Sequence, residues 1–133
     1  MSWQNLSILT VVAVFGAAGA VARYAVSGWA HQLLGTRFAY GTLAVNLIGC
    51  LLLGLLGHLM TTTEAVSPTT RAALGIGFLG AFTTFSTFGW ETFQYLEDGA
   101  WPAAAGNVAA NVLLGLAAVW AGVTIGRIWL GGA

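Results

Sequence analysis

Four long apolar stretches run along the chain, separated by short polar intervals. They extend from about Leu6 to Ala30, Ala39 to Met60, Ala72 to Leu96 and Trp101 to Leu130. Each is near or above the roughly 20 residues that cross a bilayer as a helix. The punctuation between them is polar: Leu34-Gly35-Thr36-Arg37 reads as a turn, Thr61-Thr62-Thr63-Glu64 closes the second stretch, and Glu97-Asp98-Gly99 closes the third. Ser67 followed by Pro68 reads as an N-cap and a first helical residue. Trp3, Trp29, Tyr40, Tyr95, Trp101 and Trp129 fall near the ends of stretches, as interfacial belts require. A membrane β-barrel would instead show segments of about ten residues with alternating hydrophobicity. The predicted fold class is an all-α membrane protein with four transmembrane helices in a single membrane domain, residues 1–133.

The third stretch is not uniform. Gly80-Ala81-Phe82-Thr83-Thr84-Phe85-Ser86-Thr87-Phe88-Gly89 places four hydroxyls and three phenylalanines at its centre, with glycines on both flanks. Thr and Ser side chains hydrogen-bond backbone carbonyls and bend helices. Non-helical backbone at membrane depth persists only where protein or a water-filled cavity surrounds it. Interrupted helices of this kind form ion sites, with freed carbonyls for cations and half-helix N-termini for anions. The third helix is therefore expected to break at mid-membrane, and the break is the first candidate site.

Composition agrees with the pattern. Of 133 residues 58% are hydrophobic and 6% are charged, against about 25% charged in soluble domains. There is no charge run and no basic patch, so nucleic acid is not a partner; the lipid bilayer is. Cys50 lies inside an apolar run and reads as a small hydrophobe. Met1 to Gln4 carries no positive charge, and the apolar run that follows exceeds the roughly 7–15 residues of a signal peptide, so the first stretch reads as a retained span.

Small and polar residues recur at helical spacing on three of the stretches. The lines are Gly16, Ala20, Arg23, Ser27; Thr42, Asn46, Gly49, Leu53, Gly57; and Asn107, Asn111, Gly115, Ala118, Gly122, Gly126. Close helix packing in lipid explains the glycines and alanines. Asn46, Asn107 and Asn111 need partners in hydrocarbon, and two readings stand for them: interhelical glue, or the lining of a hydrated path. Arg23 keeps its charge. It either snorkels to the interface or forms an electropositive vestibule that draws anions in.

The sign of the ion follows from what the interior lacks. Stretches one, two and four contain no acid in their interiors, and the one acid near the break is Glu91. His31 and His58 lie near stretch ends. A cation path would be expected to carry carboxylates. Hydroxyls and amides are neutral donors that suit a small anion. Phe85 and Phe88, one turn apart, either pack as core or present ring edges, whose quadrupole is positive, to an anion. Formal net charge is zero, and all four basic residues are arginines. With four spans, Arg71 and Arg127 belong to one side and Arg23 and Arg37 to the other. Topology follows such asymmetry, and its absence here is compatible with insertion in both orientations and an antiparallel, dual-topology homodimer.

The strings Gly80-Ala81-Phe82-Thr83-Thr84-Phe85-Ser86-Thr87-Phe88, Gly41-Thr42-Leu43-Ala44-Val45-Asn46-Leu47-Ile48-Gly49 and Gly19-Ala20-Val21-Ala22-Arg23-Tyr24 closely resemble the CrcB/Fluc fluoride channels, in order and across essentially the whole chain. The resemblance implies an antiparallel homodimer in the cell (plasma or inner) membrane, with two pores that export fluoride passively. It implies pore roles for Phe85 and Phe88, for Asn46, for the hydroxyls of Thr84, Ser86 and Thr87, and for Asn107 and Asn111, where members vary between amide, Tyr and Ser. It matches Arg23 to the arginine of the first span, the candidate anion vestibule, and places a structural sodium ion on the backbone carbonyls of Gly80 and Thr83 at the dimer centre. Gly89 stands where many members have Ser. A small dual-topology multidrug transporter would want a glutamate in the first span, and there is none. A purely structural subunit would not account for the hydroxyl-rich centre of the third. For an enzyme, no nucleophile–base pair, metal cluster or phosphate loop is visible.

Overall fold

The computed structural model describes residues 3–62 and 66–130, with side chains for 6–61 and 66–129. The predicted roles of Met1 to Gln4, of the Trp3 side chain and of Thr63-Glu64 lie outside the described residues.

Four helical spans are present: Leu6–Leu34, Tyr40–Thr61, Pro68–Glu97 and Trp101–Trp129. Span one is one unbroken helix, Trp3–Leu34, longer at its end than the apolar pattern suggested because Trp29, Leu33 and Leu34 continue its lipid-facing surface. It ends where Gly35 takes φ 83°, a conformation open to glycine. Span two is the helix Tyr40–Thr62. Span three starts as its sequence predicted. The Ser67 side chain caps the first turn by accepting from the Thr70 N–H at 3.1 Å, and Pro68 follows at the first turn. It ends before Gly99, at φ 68°. Span four begins at Trp101 and runs through Trp101–Ala109, Ala110–Leu114 and Gly115–Leu130.

Two segments are wound wider than an α-helix. Ala72–Leu79 in span three and Ala110–Leu114 in span four form π-helix, a winding frequent at functional sites. The first ends at Gly80, where the candidate site begins, and the second contains Asn111.

The spans pack on backbone rather than on large side chains. A Cβ on Gly19 would collide with the Phe78 carbonyl, which locks span one to span three. A Cβ on Gly54 would collide with the Val119 carbonyl, and one on Gly122 with the Leu51 carbonyl, which locks span two to span four. These two helices run parallel, since contacts advance together along both. Lipid offers no hydrophobic gain on helix association, so close approach through small residues is what holds such pairs. The predicted line on span four meets span two at Gly115, Gly122 and Gly126, all buried, while Asn107 is buried against span three. The line on span two is only half right. Thr42, Asn46 and Gly49 face inward, but Leu53 is 48% exposed and Gly57 meets nothing, while Gly54 makes the backbone contact. Trp29, Trp101, Trp120 and Trp129 stay exposed for a lipid surround.

Candidate functional site

Span three breaks at the centre of its 30 residues. Gly80–Phe82 is helical, Thr83 (φ −83°, ψ 161°) and Thr84 (φ −150°, ψ 121°) are extended, and the helix resumes over Phe85–Glu97. The sequence makes the break locally. The Thr83 hydroxyl donates to the Leu79 carbonyl at 3.0 Å. Thr84 then serves as N-cap of the second half, its Oγ1 accepting from the Thr87 N–H at 3.2 Å.

Span two completes the break. The Asn46 side chain pairs with both backbone groups of Thr84: Oδ1 accepts from the Thr84 N–H at 2.9 Å, and Nδ2 donates to the Thr84 carbonyl at 3.1 Å. An amide here does what a neighbouring strand does elsewhere, meeting the requirement that buried backbone groups be hydrogen-bonded. Gly49, one turn further, leaves room for Thr83, whose methyl group would collide with a Cβ there.

The break redirects specific donors. In a continuous helix the Thr84 N–H would bond the Gly80 carbonyl and the Thr87 N–H the Thr83 carbonyl. Here these donors go to Asn46 Oδ1 and Thr84 Oγ1. Gly80 and Thr83 therefore lose their helical donors at adjacent turns of the interruption. Among the described residues no group of three His, Cys, Asp or Glu side chains is poised for a metal.

The three phenylalanines separate. Phe82 is buried and stacks on Phe78 at 5.9 Å. Phe85 is 82% exposed, and its ring lies 5.5 Å from that of Phe88 at 55°. Core packing thus accounts for Phe82 and leaves Phe85 unexplained within one chain. Phe85 and Phe88 border an open groove of about 340 Å³, with Asn46, Gly80, Thr83 and Asn111 on its walls.

Thr84 also borders a second cleft, of about 470 Å³, shared with Thr87, Thr42, Ser27, His31 and Arg23. Arg23 thus stands on the cleft that reaches the break, with Ala20 and Ser27 of its predicted line beside it. Ser86 is exposed, with its hydroxyl 3.4 Å from that of Thr84. The Thr87 hydroxyl accepts from that of Thr84 at 3.0 Å.

Asn107 and Asn111 sit behind Asn46. Asn111 Oδ1 accepts from Asn46 Nδ2 at 2.9 Å, and Asn111 Nδ2 donates to Asn107 Oδ1 at 3.0 Å. Asn107 is fully buried and donates to the Thr92 hydroxyl at 2.9 Å. All three amides are brought together: Asn46 and Asn111 join spans two and four, Asn107 and Asn111 bond within span four, and Asn107 reaches span three at Thr92.

Thr92 escaped the sequence reading, which named Thr42 and Glu91 without pairing them. Thr42 donates to Glu91 Oε1 at 2.8 Å, and Glu91 borders a third cleft, of about 310 Å³, with His31, Gln94, Tyr95 and Asp98. Thr92 anchors Asn107. The signal available was spacing: Thr84, Thr87 or Phe88, and Glu91 or Thr92 recur every three or four residues along one face.

Four apolar spans, the third of them discontinuous and polar at its centre, define a multi-pass membrane protein of the class whose broken helices hold ions. The match to known proteins is specific. Residues 10–123 fit the family described as CrcB-like protein, Camphor Resistance (CrcB), and the chain belongs to that family. It is 49% identical over 119 residues to the "Fluoride-specific ion channel FluC" of Citrifermentans bemidjiense, covering 90% of this chain and 96% of that one. It is 48% identical over 122 residues to the protein of the same name from Geobacter sulfurreducens, covering 92% and 98%. The one from Sorangium cellulosum is 44% identical over 117 residues, covering 88% and 92%. These relatives carry the name of an ion channel, not of an enzyme.

Proposed function

We propose that this protein is a fluoride-selective channel that lets fluoride leave the cytoplasm passively, as an antiparallel homodimer with two pores. The observation that carries the reading is the break at Thr83–Thr84, with hydroxyls and a tilted pair of phenylalanines around it and no acid within it. The relatives' name supplies the ion.

Fluoride is small and strongly hydrated, so a path must replace its water with donors while staying narrow enough to disfavour chloride. Arg23 gathers anions at the cleft beside Thr84 and Thr87. Thr84, Ser86 and Thr87 then line the path with hydroxyls held in place beside the Asn46 amide, and Phe85 and Phe88 offer ring edges, whose positive rim attracts an anion without holding it as a fixed charge would. Conduction needs binding that is favourable yet escapable, and neutral donors meet both conditions. Asn107 and Asn111 belong to the same polar track.

The second copy is supported by what one chain leaves open. Phe85 projects from the groove beside the break, and the arginines are balanced between the two sides. Crossing of two broken helices there would bring together the Gly80 and Thr83 carbonyls of both copies. A sodium ion at that crossing would be held by carbonyl dipoles, a hard-oxygen ligand set that suits it, and would offset the convergence of like dipoles.

Passive efflux from liposomes, fluoride against chloride, tests the channel: fluoride should leave far faster, and equal rates or no fluoride flux would sink the proposal. Reporter tags at the C-terminus test the assembly. They should appear on both sides of the membrane, and a single-sided result rules out dual topology.

A further inference from the structure

The polar contacts around the break form a closed circuit. It leaves span three at Thr84, passes to Asn46 on span two, then to Asn111 and Asn107 on span four, and returns to span three at Thr92 and the Phe88 carbonyl. From the Thr84 N–H onward each group donates to the next, and only the second Asn46 bond, from Nδ2 to the Thr84 carbonyl, points back. The Thr92 hydroxyl has one proton, which it donates to the Phe88 carbonyl at 2.8 Å, so toward Asn107 it acts only as acceptor. That fixes Asn107 with its Nδ2 toward Thr92 and its Oδ1 toward Asn111. Asn111 is then fixed with Oδ1 toward Asn46. Asn46 in turn must aim Nδ2 at Asn111 and at the Thr84 carbonyl, leaving Oδ1 for the Thr84 N–H. Both Nδ2 protons of Asn46 are engaged.

We propose that Thr92, Asn107 and Asn111 are positioning residues: together they set the orientation of the Asn46 amide, and through it the backbone of Thr84 and the placement of Phe85 and Phe88. Thr92 is the far anchor: its single proton fixes the series in the direction that the Thr84 N–H and the Asn107 carbonyl also require. Asn46 acts first as the clamp on the break, and an ion meets a structure already fixed. The circuit brackets residues 84–88, the segment that carries both rings of the proposed pore. The inference rests on the channel reading only for its flux measurement.

The test compares Thr92→Val, which keeps the shape and removes the hydroxyl, with Thr92→Ser, which keeps the hydroxyl. Two quantities are read in each: fluoride efflux from liposomes, and hydrogen exchange of the Thr84 amide by NMR of the full chain. Loss of one buried hydrogen-bonded link predicts a change of about tenfold in both for Thr92→Val, slower flux and faster exchange. Thr92→Ser should restore both to within about twofold of the unmodified protein. Asn111→Ala should reproduce the Thr92→Val effect, and the double variant should be no worse than Asn111→Ala alone, because links in series couple rather than add. Exchange and flux unchanged in Thr92→Val would overturn the proposal, as would a Ser variant as impaired as the Val variant, or effects that multiply in the double. If the unmodified protein passes no fluoride while the exchange pattern holds, the channel reading fails and the positioning circuit stands.

Discussion

Spans two and four meet through two different chemistries within about three turns of each other. Toward their C-terminal ends Gly54 and Gly122 bring backbone against backbone, with the Val119 and Leu51 carbonyls filling the space a Cβ would need. Toward their N-terminal ends Asn46 and Asn111 share an amide hydrogen bond at 2.9 Å. The glycine contact is non-directional and without slack: it decides whether the two helices lie together at all. The amide contact is directional: it decides which way a side chain points and hence where the backbone of span three is held. One half of the interface serves stability, the other the geometry of the break.

The comparison breaks most severely at the glycines. Gly122→Leu forces a side chain into the Leu51 carbonyl, and should lower stability by about 3 kcal/mol, the upper range for overpacking, read as loss of monodisperse protein and a lower unfolding midpoint in detergent. Asn46→Leu attacks the other half. It leaves the Thr84 N–H without its partner, a cost of about 1–3 kcal/mol for a buried donor. Fluoride efflux should fall on the order of a hundredfold for the same reason, with dimer assembly retained. Phe85→Ile keeps the apolar bulk and removes the ring edge, an interaction of about 0.5–1.5 kcal/mol; efflux should fall about tenfold on the same scale, with unfolding unchanged. Thr124→Val is the control on the lipid side of span four. Its hydroxyl bonds only the Trp120 carbonyl of its own helix, and stability should stay within about 0.5 kcal/mol. A fall in flux in Thr124→Val as large as that in Phe85→Ile would erase the distinction between the break and the rest of the helices.

The break was legible because membranes enforce a strict rule. Four hydroxyls and flanking glycines in the middle of an apolar span contradict an uninterrupted lipid-facing helix, and the structure places the extended residues at Thr83 and Thr84. The N-cap at Ser67 was legible too, since capping depends on neighbours in sequence. The helix faces were less so. Spacing put Gly57 on the packing line of span two, but the contact falls on Gly54. A helix with glycines at 49, 54 and 57 has more than one small face, and spacing cannot say which one a neighbour chooses. The amides kept two readings for the same reason. Glue and pore lining require the same residue types, and only the partners distinguish them.

By itself, then, the sequence determined the solvent, the number of spans, the position of the interruption and the residue types available there. These depend on local composition and on the roughly 20-residue length a bilayer imposes. Tertiary structure alone decided where the polar groups of the break go: the Thr84 N–H to Asn46, Asn46 to Asn111, and Asn107 to Thr92. Hydrogen bonds between residues 15 to 65 positions apart in the chain follow from how three helices are set against one another. That setting comes from glycine contacts on faces that the sequence left ambiguous.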